Sequence, residues 1–409
     1  MEVLYPRCCG IDVHKASLVV CLRLQDGRRA QTQVQSFGTT TAEILRLHAW
    51  LSEAACTHVA MESTGVYWQP VFNLLEGSFE VVLANAHHIK AVPGRKTDVK
   101  DCEWLAQLLA HGLIRASFIP PAAIRELRDL TRHRKSLIRD RVKAINRVHK
   151  LLETANIKLA SVVTDIMGVS GRAMLNALVA GETDPYRLAA LARGSLIPKV
   201  RQLAEALRGR FNAHHAFLLG QMLTQVDQLA VLVAACDTRI LEVARPLEPE
   251  IQRLQTIVAV GRRSAEVMVS EIGVDMSRFA TSGHLASWAR ICPGTHQSAG
   301  KRRSTGTGTG NNWLRTTLLE SAWAASHARK SYLGAQYRRI SKRRGPKRAA
   351  IAVAHTILVI AYHVLRDGVA FQDLGPDYFD RMNTGKHKEY HLRRLAELGC
   401  DVSQVTSAA

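Results

Sequence analysis

Four carboxylates near the start of the chain are the residues best placed to do chemistry. Asp12 stands inside an apolar run, Cys8-Cys9-Gly10-Ile11-Asp12-Val13. Burying a lone acid there is costly unless a cation or a hydrogen-bond network compensates it. Glu62 closes a second apolar run, Val59-Ala60-Met61-Glu62, and Asp98 and Asp101 stand three apart where a helix begins. That spacing puts both on one helical face. Four acids brought together repel and desolvate one another, so they hold their charge by binding a cation. An all-oxygen donor set selects Mg2+, with Mn2+ as the alternative. Two such ions can clamp the attacking and leaving oxygens of a phosphodiester. Taken singly, Asp12 is explained as a strand-end acid on backbone amides, and Asp98 as a helix N-terminal acid favoured by the dipole. The combination, in a basic chain, points to a metal site.

Ser298 offers a second chemistry. It lies in a small-residue loop, Cys292-Pro293-Gly294-Thr295-His296-Gln297-Ser298-Ala299-Gly300, with Lys301, Arg302 and Arg303 directly after it. A serine nucleophile needs an exposed position and positive charge to hold a phosphate. The residues alone do not single it out, because Ser304 is close by and opens the low-complexity run Ser304-Thr305-Gly306-Thr307-Gly308-Thr309-Gly310. His14 and Lys15 read as a solvated turn, and the tryptophans at helical positions read as core.

The charge says what such groups would act on. Lys plus Arg number 55 against 35 acids, a net +20. Residues 125–150 carry ten Lys/Arg and three acids, and residues 301–348 carry thirteen and one, so these two segments hold +19 and the remainder is nearly neutral. Positive charge gathered in this way is the footprint of a polyanion, most often nucleic acid. The candidate contacts are Arg132, Arg134, Lys135, Arg139, Lys143, Arg262, Arg263, Lys301, Arg302, Arg303 and Arg315. Eight cysteines without a C-x-x-C pair fit a reduced cytoplasm rather than a disulfide framework or a zinc site. The opening residues do not read as a signal peptide. The apolar run Ala349–Leu365 contains His355 and His363 and falls short of the ~20 residues of a membrane span, so no membrane is expected.

The elements that must position these groups follow from periodicity. Cys8–Val13, Ser17–Leu24 and Gln31–Phe37 read as strands, Thr41–Ser52 as an amphipathic helix, and Thr57–Met61 as a strand ending at Glu62. A helix at Val66–Glu76, a strand at Phe79–Leu83, a loop at 87–97 and a helix from Asp98 to Leu113 complete a mixed α/β domain, residues 1–119. After Pro120-Pro121, apolar residues from Leu127 to Leu152 recur mostly at three- or four-residue steps between Arg and Lys. They predict a long basic helix with a coiled-coil-like seam, opening an all-α middle, 120–247. Its seam serves equally for packing within the chain or between chains. Pro246 and Pro249 open a mainly α segment, 248–375, where two helices joined at Gly261 look like a helix-hairpin-helix, a turn whose amides contact phosphate. Residues 376–409 read as a polar tail.

Three of these stretches, Gly10-Ile11-Asp12-Val13-His14-Lys15, Met61-Glu62-Ser63-Thr64-Gly65-Val66-Tyr67-Trp68 and Lys96-Thr97-Asp98-Val99-Lys100-Asp101, resemble the DEDD transposases of the insertion-sequence-110 group. The 292–300 loop and Gly310-Asn311-Asn312-Trp313-Leu314-Arg315 resemble the C-terminal transposase domain of that family. At Ala259 the family usually carries Gly. The resemblance implies a RuvC-like, RNase H-type domain whose acids are Asp12, Glu62, Asp98 and Asp101, and a coiled-coil middle used in assembly as a homodimer or homotetramer. It implies that Ser298 attacks DNA and forms a transient phosphoserine link, joining the acids of another subunit, under guidance by a structured non-coding RNA. The expected place of action is the bacterial cytoplasm, on the nucleoid. A RuvC-like structure-selective nuclease, using the acids and water alone, is the alternative. The clustered charge disfavours a sugar-kinase-like ATPase, and a nucleic-acid-binding scaffold would bind without cleaving.

Overall fold

The computed structural model describes residues 2–27, 29–63, 65–84, 98–114, 116–293, 296–298, 301–303, 310–382 and 384–399, with the backbone alone for 98, 99, 296–298, 301–303, 386 and 387. The chain divides into two compact units, Met1–Ile119 and Pro120–Ala409.

The first unit is a five-stranded sheet of β1 (Arg7–Val13), β2 (Ser17–Asp26), β3 (Arg29–Gly38), β4 (His58–Glu62) and β5 (Glu80–Ala84), in the order β3-β2-β1-β4-β5. β1, β2 and β3 form an antiparallel meander, while β1, β4 and β5 run parallel. The central strand is buried on both sides, and alternation sends its residues to opposite faces. Cys9, Ile11 and Val13 join Leu18, Val20 and Leu22 under α1 (Thr41–Glu53) and α2 (Trp68–Leu75), which contribute Ile44, Leu47, Leu51, Val71, Phe72 and Leu75. Burying each large aliphatic stabilises by roughly 1.5–3 kcal/mol. Cys8, Gly10 and Asp12 face the other way, toward α3 (Asp98–Ala110). The elements match the expected ones within a few residues at each end. The loop expected at 87–97 lies outside the described residues. A mixed α/β sheet with a helical remainder is consistent with an RNase H-like domain.

In the second unit α4 (Ala122–Thr154) runs for 33 residues and α5 (Val169–Val179) follows it. α6 (Ala213–Ala244) packs antiparallel to α4: Arg134 Nε is 2.5 Å from Asp237 Oδ1, and Arg147 Nη1 donates to Gln225 Oε1 at 3.4 Å. At the far end of this pair Val148 and Leu152 join Met174, Leu175, Leu203, Leu219 and Leu223 in a core of their own. The apolar seam read from the sequence is therefore closed within the chain by α6. Beyond it come α7 (Glu248–Gln255), α8 (Arg262–Ile272), α9 (Ser282–Trp288), the hairpin β6 (His296–Ser298) and β7 (Lys301–Arg303), then α10 (Asn312–His327), α11 (Tyr332–Arg344) and α12 (Pro346–Asp367). The turn between α7 and α8 places its left-handed residue at Ala259 (φ +67°), whereas Gly261 is extended. A side chain in that conformation costs roughly 1–2 kcal/mol. The segment read as a polar tail carries two helices, Tyr378–Met382 and Thr384–Glu397.

Two helical stretches, Ala213–Gln255 and Pro346–Asp367, are long and apolar enough to cross a membrane by length and composition alone. The second exceeds the run counted in the sequence because Pro346 and Asp367 extend the helix at its ends. Its residues Val353, Ala354, Ile357, Leu358 and Ala361 are buried, and Tyr362 Oη donates to the Phe279 carbonyl at 2.9 Å, as suits a core helix.

Candidate acidic centre and serine hairpin

Gly10 sets the geometry of the first unit's acids. A Cβ there would lie 2.2 Å from the Cys102 carbonyl oxygen and 2.5 Å from the Ala106 nitrogen. Only glycine lets α3 lie this close to β1. Cys8 contacts Leu109 and Ala110 at the C-terminal end of α3, so the helix runs back along the strand and its N-terminal end reaches the Asp12 end. β1 and β4 pair in parallel up to Ile11 and Met61. The next residues on the two strands are Asp12 and Glu62, on the face that α3 covers. Two of the four expected acids thus stand side by side at neighbouring strand ends, and α3 supplies Asp98 as its first residue and Asp101 one turn on. Asp12, Glu62 and Asp101 are partly buried, and the Asp98 carboxylate lies outside the described residues.

The local electrostatics agree with this placement. The Cys102 thiol is held below its ordinary range, first by a hydrogen bond with the Cys21 thiol, against burial and the negative charge of Glu103 and Asp12, which raise it. Asp12 is therefore felt at the first turns of α3. His14 Nε2 lies 3.1 Å from Asp12 Oδ2. His14 is exposed in the turn that follows β1, as the sequence suggests, and from that turn its ring reaches back to the acid two residues before it. Among the described residues no group of three or more His, Cys, Asp or Glu side chains stands ready to hold a metal ion. The carboxylates at hand are nevertheless donors of the kind a hard divalent cation takes.

In the second unit Ser298 ends β6, and its backbone pairs with Lys301 across the hairpin. The side chains of Ser298, Lys301, Arg302 and Arg303 lie outside the described residues. The base of the loop is closely held. A Cβ on Gly310, where the chain returns, would lie 2.5 Å from Arg290 Cβ and 2.6 Å from the Ala289 carbonyl, where it departed. Asn311 caps α10 by accepting from the Trp313 and Leu314 amides at 3.1 Å each, and its Nδ2 donates to Glu271 Oε2 at 2.6 Å. Glu271 is fully buried and receives Arg132 through Nε and Nη2, both at 2.7 Å, with Arg128 Nε at 3.5 Å. Arg139 lies over the Trp313 ring at 4.7 Å.

This network changes the reading of the basic residues. Of the eleven candidate contacts, six are engaged by acids. Arg132 binds Glu271, Arg134 binds Asp237, Lys135 binds Glu320 and Lys143 binds Asp140. Arg262 binds Glu248 and Glu266, and Arg263 binds Asp237 and Glu266. Arg315 is partly buried. Glu271 is not among the residues that the sequence singles out, and Asn311 enters there only within the Gly310–Arg315 stretch. The criterion that found Asp12, an acid inside an apolar run, applies equally to Val267-Met268-Val269-Ser270-Glu271-Ile272.

Two family profiles match the chain. That of the DEDD-type IS110 transposases matches residues 9–157, the part holding the acids, and that of the transposase IS116/IS110/IS902 family matches residues 251–338, the part holding the serine hairpin. The chain belongs to the IS110 family of transposases. Among its relatives, the transposase is 24% identical over 315 residues to the 43.6 kDa protein of insertion element IS110 from Streptomyces coelicolor, covering 69% of this chain and 74% of that one. It is 27% identical over 293 residues to a putative transposase of Sinorhizobium fredii, covering 68% of each. The transposase is thus an enzyme of DNA transposition.

Proposed function

We propose that this transposase cuts and rejoins DNA at the ends of its insertion sequence and at a target, through a divalent-metal centre and a serine nucleophile. The observation that carries the proposal is the meeting of Asp12 and Glu62 at adjacent strand ends, under the helix that bears Asp98 and Asp101. Asp12, Glu62, Asp98 and Asp101 would hold Mg2+, or Mn2+. The bound ion supplies compensation for charge developing on the phosphate oxygens. His14 holds the Asp12 carboxylate in position. The Ser298 oxygen attacks phosphorus, forming an Oγ–P bond as the P–O bond to the departing deoxyribose oxygen breaks. The serine proton passes to solvent and the departing oxygen gains one. Attack on the phosphoserine by the hydroxyl of the incoming strand restores the serine.

Residues 1–119 are assigned the acidic centre, 120–247 assembly, 248–375 the serine-bearing transposase domain, and 376–409 the tail. The α7–α8 pair is read as a helix-hairpin-helix-like element. Assembly as a homodimer or homotetramer is supported by exposed apolar residues on α6, Val231 at 68% and Leu232 at 50%. Guidance by a structured RNA follows from the family resemblance and the basic charge. Action is in the bacterial cytoplasm.

The test is cleavage of supercoiled element-end DNA with Mg2+ and co-purified RNA. Asp98→Asn is expected to lower strand cleavage by roughly 10²-fold or more, as loss of one transition-state charge partner does elsewhere. Unchanged cleavage in that variant contradicts the metal centre.

A further inference from the structure

The corner between α11 and α12 carries Lys342, Arg343, Arg344, Lys347 and Arg348 within seven residues, all exposed. None of the five lies within 4.0 Å of a described acid, in contrast to the paired cations of α4 and α8. No acid occurs anywhere from residue 321 to 366. Neighbouring cations are otherwise occupied: Arg338 Nη2 donates to the Arg329 carbonyl at 2.9 Å, and Arg339 lies 5.4 Å from the Phe379 ring centre.

Helix electrostatics explain part of this corner. Lys342, Arg343 and Arg344 close α11, where the dipole favours cations. Lys347 and Arg348 do not fit that account. They stand in the first turn of α12, where the dipole opposes them, with no acid in that turn and no side-chain cap. Gly345, at φ +83°, turns the chain tightly between the two helices and so brings both groups of cations to one point. Charge held together against its own repulsion is relieved by a polyanion.

We infer that the α11–α12 corner binds the phosphate backbone of duplex DNA. Residues 342–348 contain no aromatic side chain, so the corner lacks the stacking platform of a single-strand site. Five exposed cations at one tight turn suit the closely spaced phosphates of a duplex backbone, and phosphate contacts of this kind position the duplex without specifying sequence. The inference rests on the proposed function only in its choice of duplex DNA.

The experiment uses the full chain in which all five residues are changed to Gln. Affinity for a 30-bp DNA duplex, the same sequence as RNA duplex, and single-stranded DNA is measured against salt. The slope of log K on log[salt] changes by about 0.9 for each phosphate that the protein no longer neutralises. It is expected to become shallower by roughly 2 to 4 units for the DNA duplex. A control changes Arg193, Lys199, Arg201, Arg208 and Arg210 to Gln, which lowers the net charge equally. An unaltered DNA slope, an equal change in the control, or a change confined to RNA duplex or single strands overturns the inference. Circular dichroism confirms that both variants fold. Because the readout is binding, failure here leaves the cleavage chemistry standing, and failure of cleavage leaves the corner standing.

Discussion

Replacing Glu271 by Gln removes one charge from a site whose geometry fixes the consequence. The side chain is fully buried and receives two 2.7 Å hydrogen bonds from Arg132, one of 2.6 Å from Asn311 Nδ2, and Arg128 Nε at 3.5 Å. Glutamine keeps the volume and one acceptor oxygen, so no cavity forms. Its amide, however, turns two hydrogens toward a guanidinium or toward the Asn311 amide. Breaking a buried ion pair by removing one partner costs about 3–5 kcal/mol. Arg132 is 35% exposed, so water relieves part of that penalty and the expected loss is about 3 kcal/mol. For a unit of this size that lowers the unfolding midpoint by roughly 5 °C. Thermal unfolding followed by circular dichroism gives the magnitude. Hydrogen exchange at the Trp313 and Leu314 amides, which Asn311 caps, reports whether the base of the serine loop loosens with it. A midpoint within 1 °C of the parent, with unchanged protection at those two amides, would refute the reasoning.

Two further outcomes follow from the same geometry. Gly10→Ala puts a methyl group 2.2 Å from the Cys102 carbonyl, a backbone atom that cannot step aside. Overpacking of this kind costs about 3 kcal/mol and should displace α3, so the variant should lose Mg2+-dependent cleavage while duplex binding persists, as filter binding beside a cleavage assay will show. His355, on α12, has its basicity lowered below the ordinary value of 6.5 by burial. Below pH 6.5 the unfolded chain takes up a proton that the folded chain refuses. The stability this residue supports is therefore complete above pH 6.5 and declines as the pH falls from there toward the lowered folded value. Urea titrations at pH 7.5 and 5.5 should show a smaller acid-side loss in His355→Gln than in the parent, and equal losses would contradict the assignment.

The first unit was largely legible because its signals are local. Apolar runs broken by turn residues fix β1 and β2, Thr40 caps α1, and three of the acids stand at or near element ends while Asp12 interrupts an apolar run. The partner of Asp12 was less so: His14 is a turn residue, as its surroundings suggest, and the 3.1 Å contact depends on the turn bending its ring back toward the acid, which no local pattern encodes. In the second unit the partners of the basic residues were not legible. Arg132 and Arg134, named as candidate nucleic-acid contacts, pair with Glu271 and Asp237, which lie more than a hundred positions away. Charge counting along the chain does not see pairing across it. The free cations at the α11–α12 corner belong to the same basic run, and what separates them is the acids that fail to reach them.

The central claim is that a serine in the second unit, not water, attacks the DNA. It is tested most directly by incubating the transposase with 5′- and 3′-labelled element-end DNA, Mg2+ and its co-purified RNA, then resolving the products under denaturing conditions. The account predicts a covalent protein–DNA adduct whose linked peptide contains Ser298, and its loss in Ser298→Ala. Strand cleavage by Ser298→Ala at the parent's rate, with free ends and no adduct, would contradict it and leave the acids working with water alone.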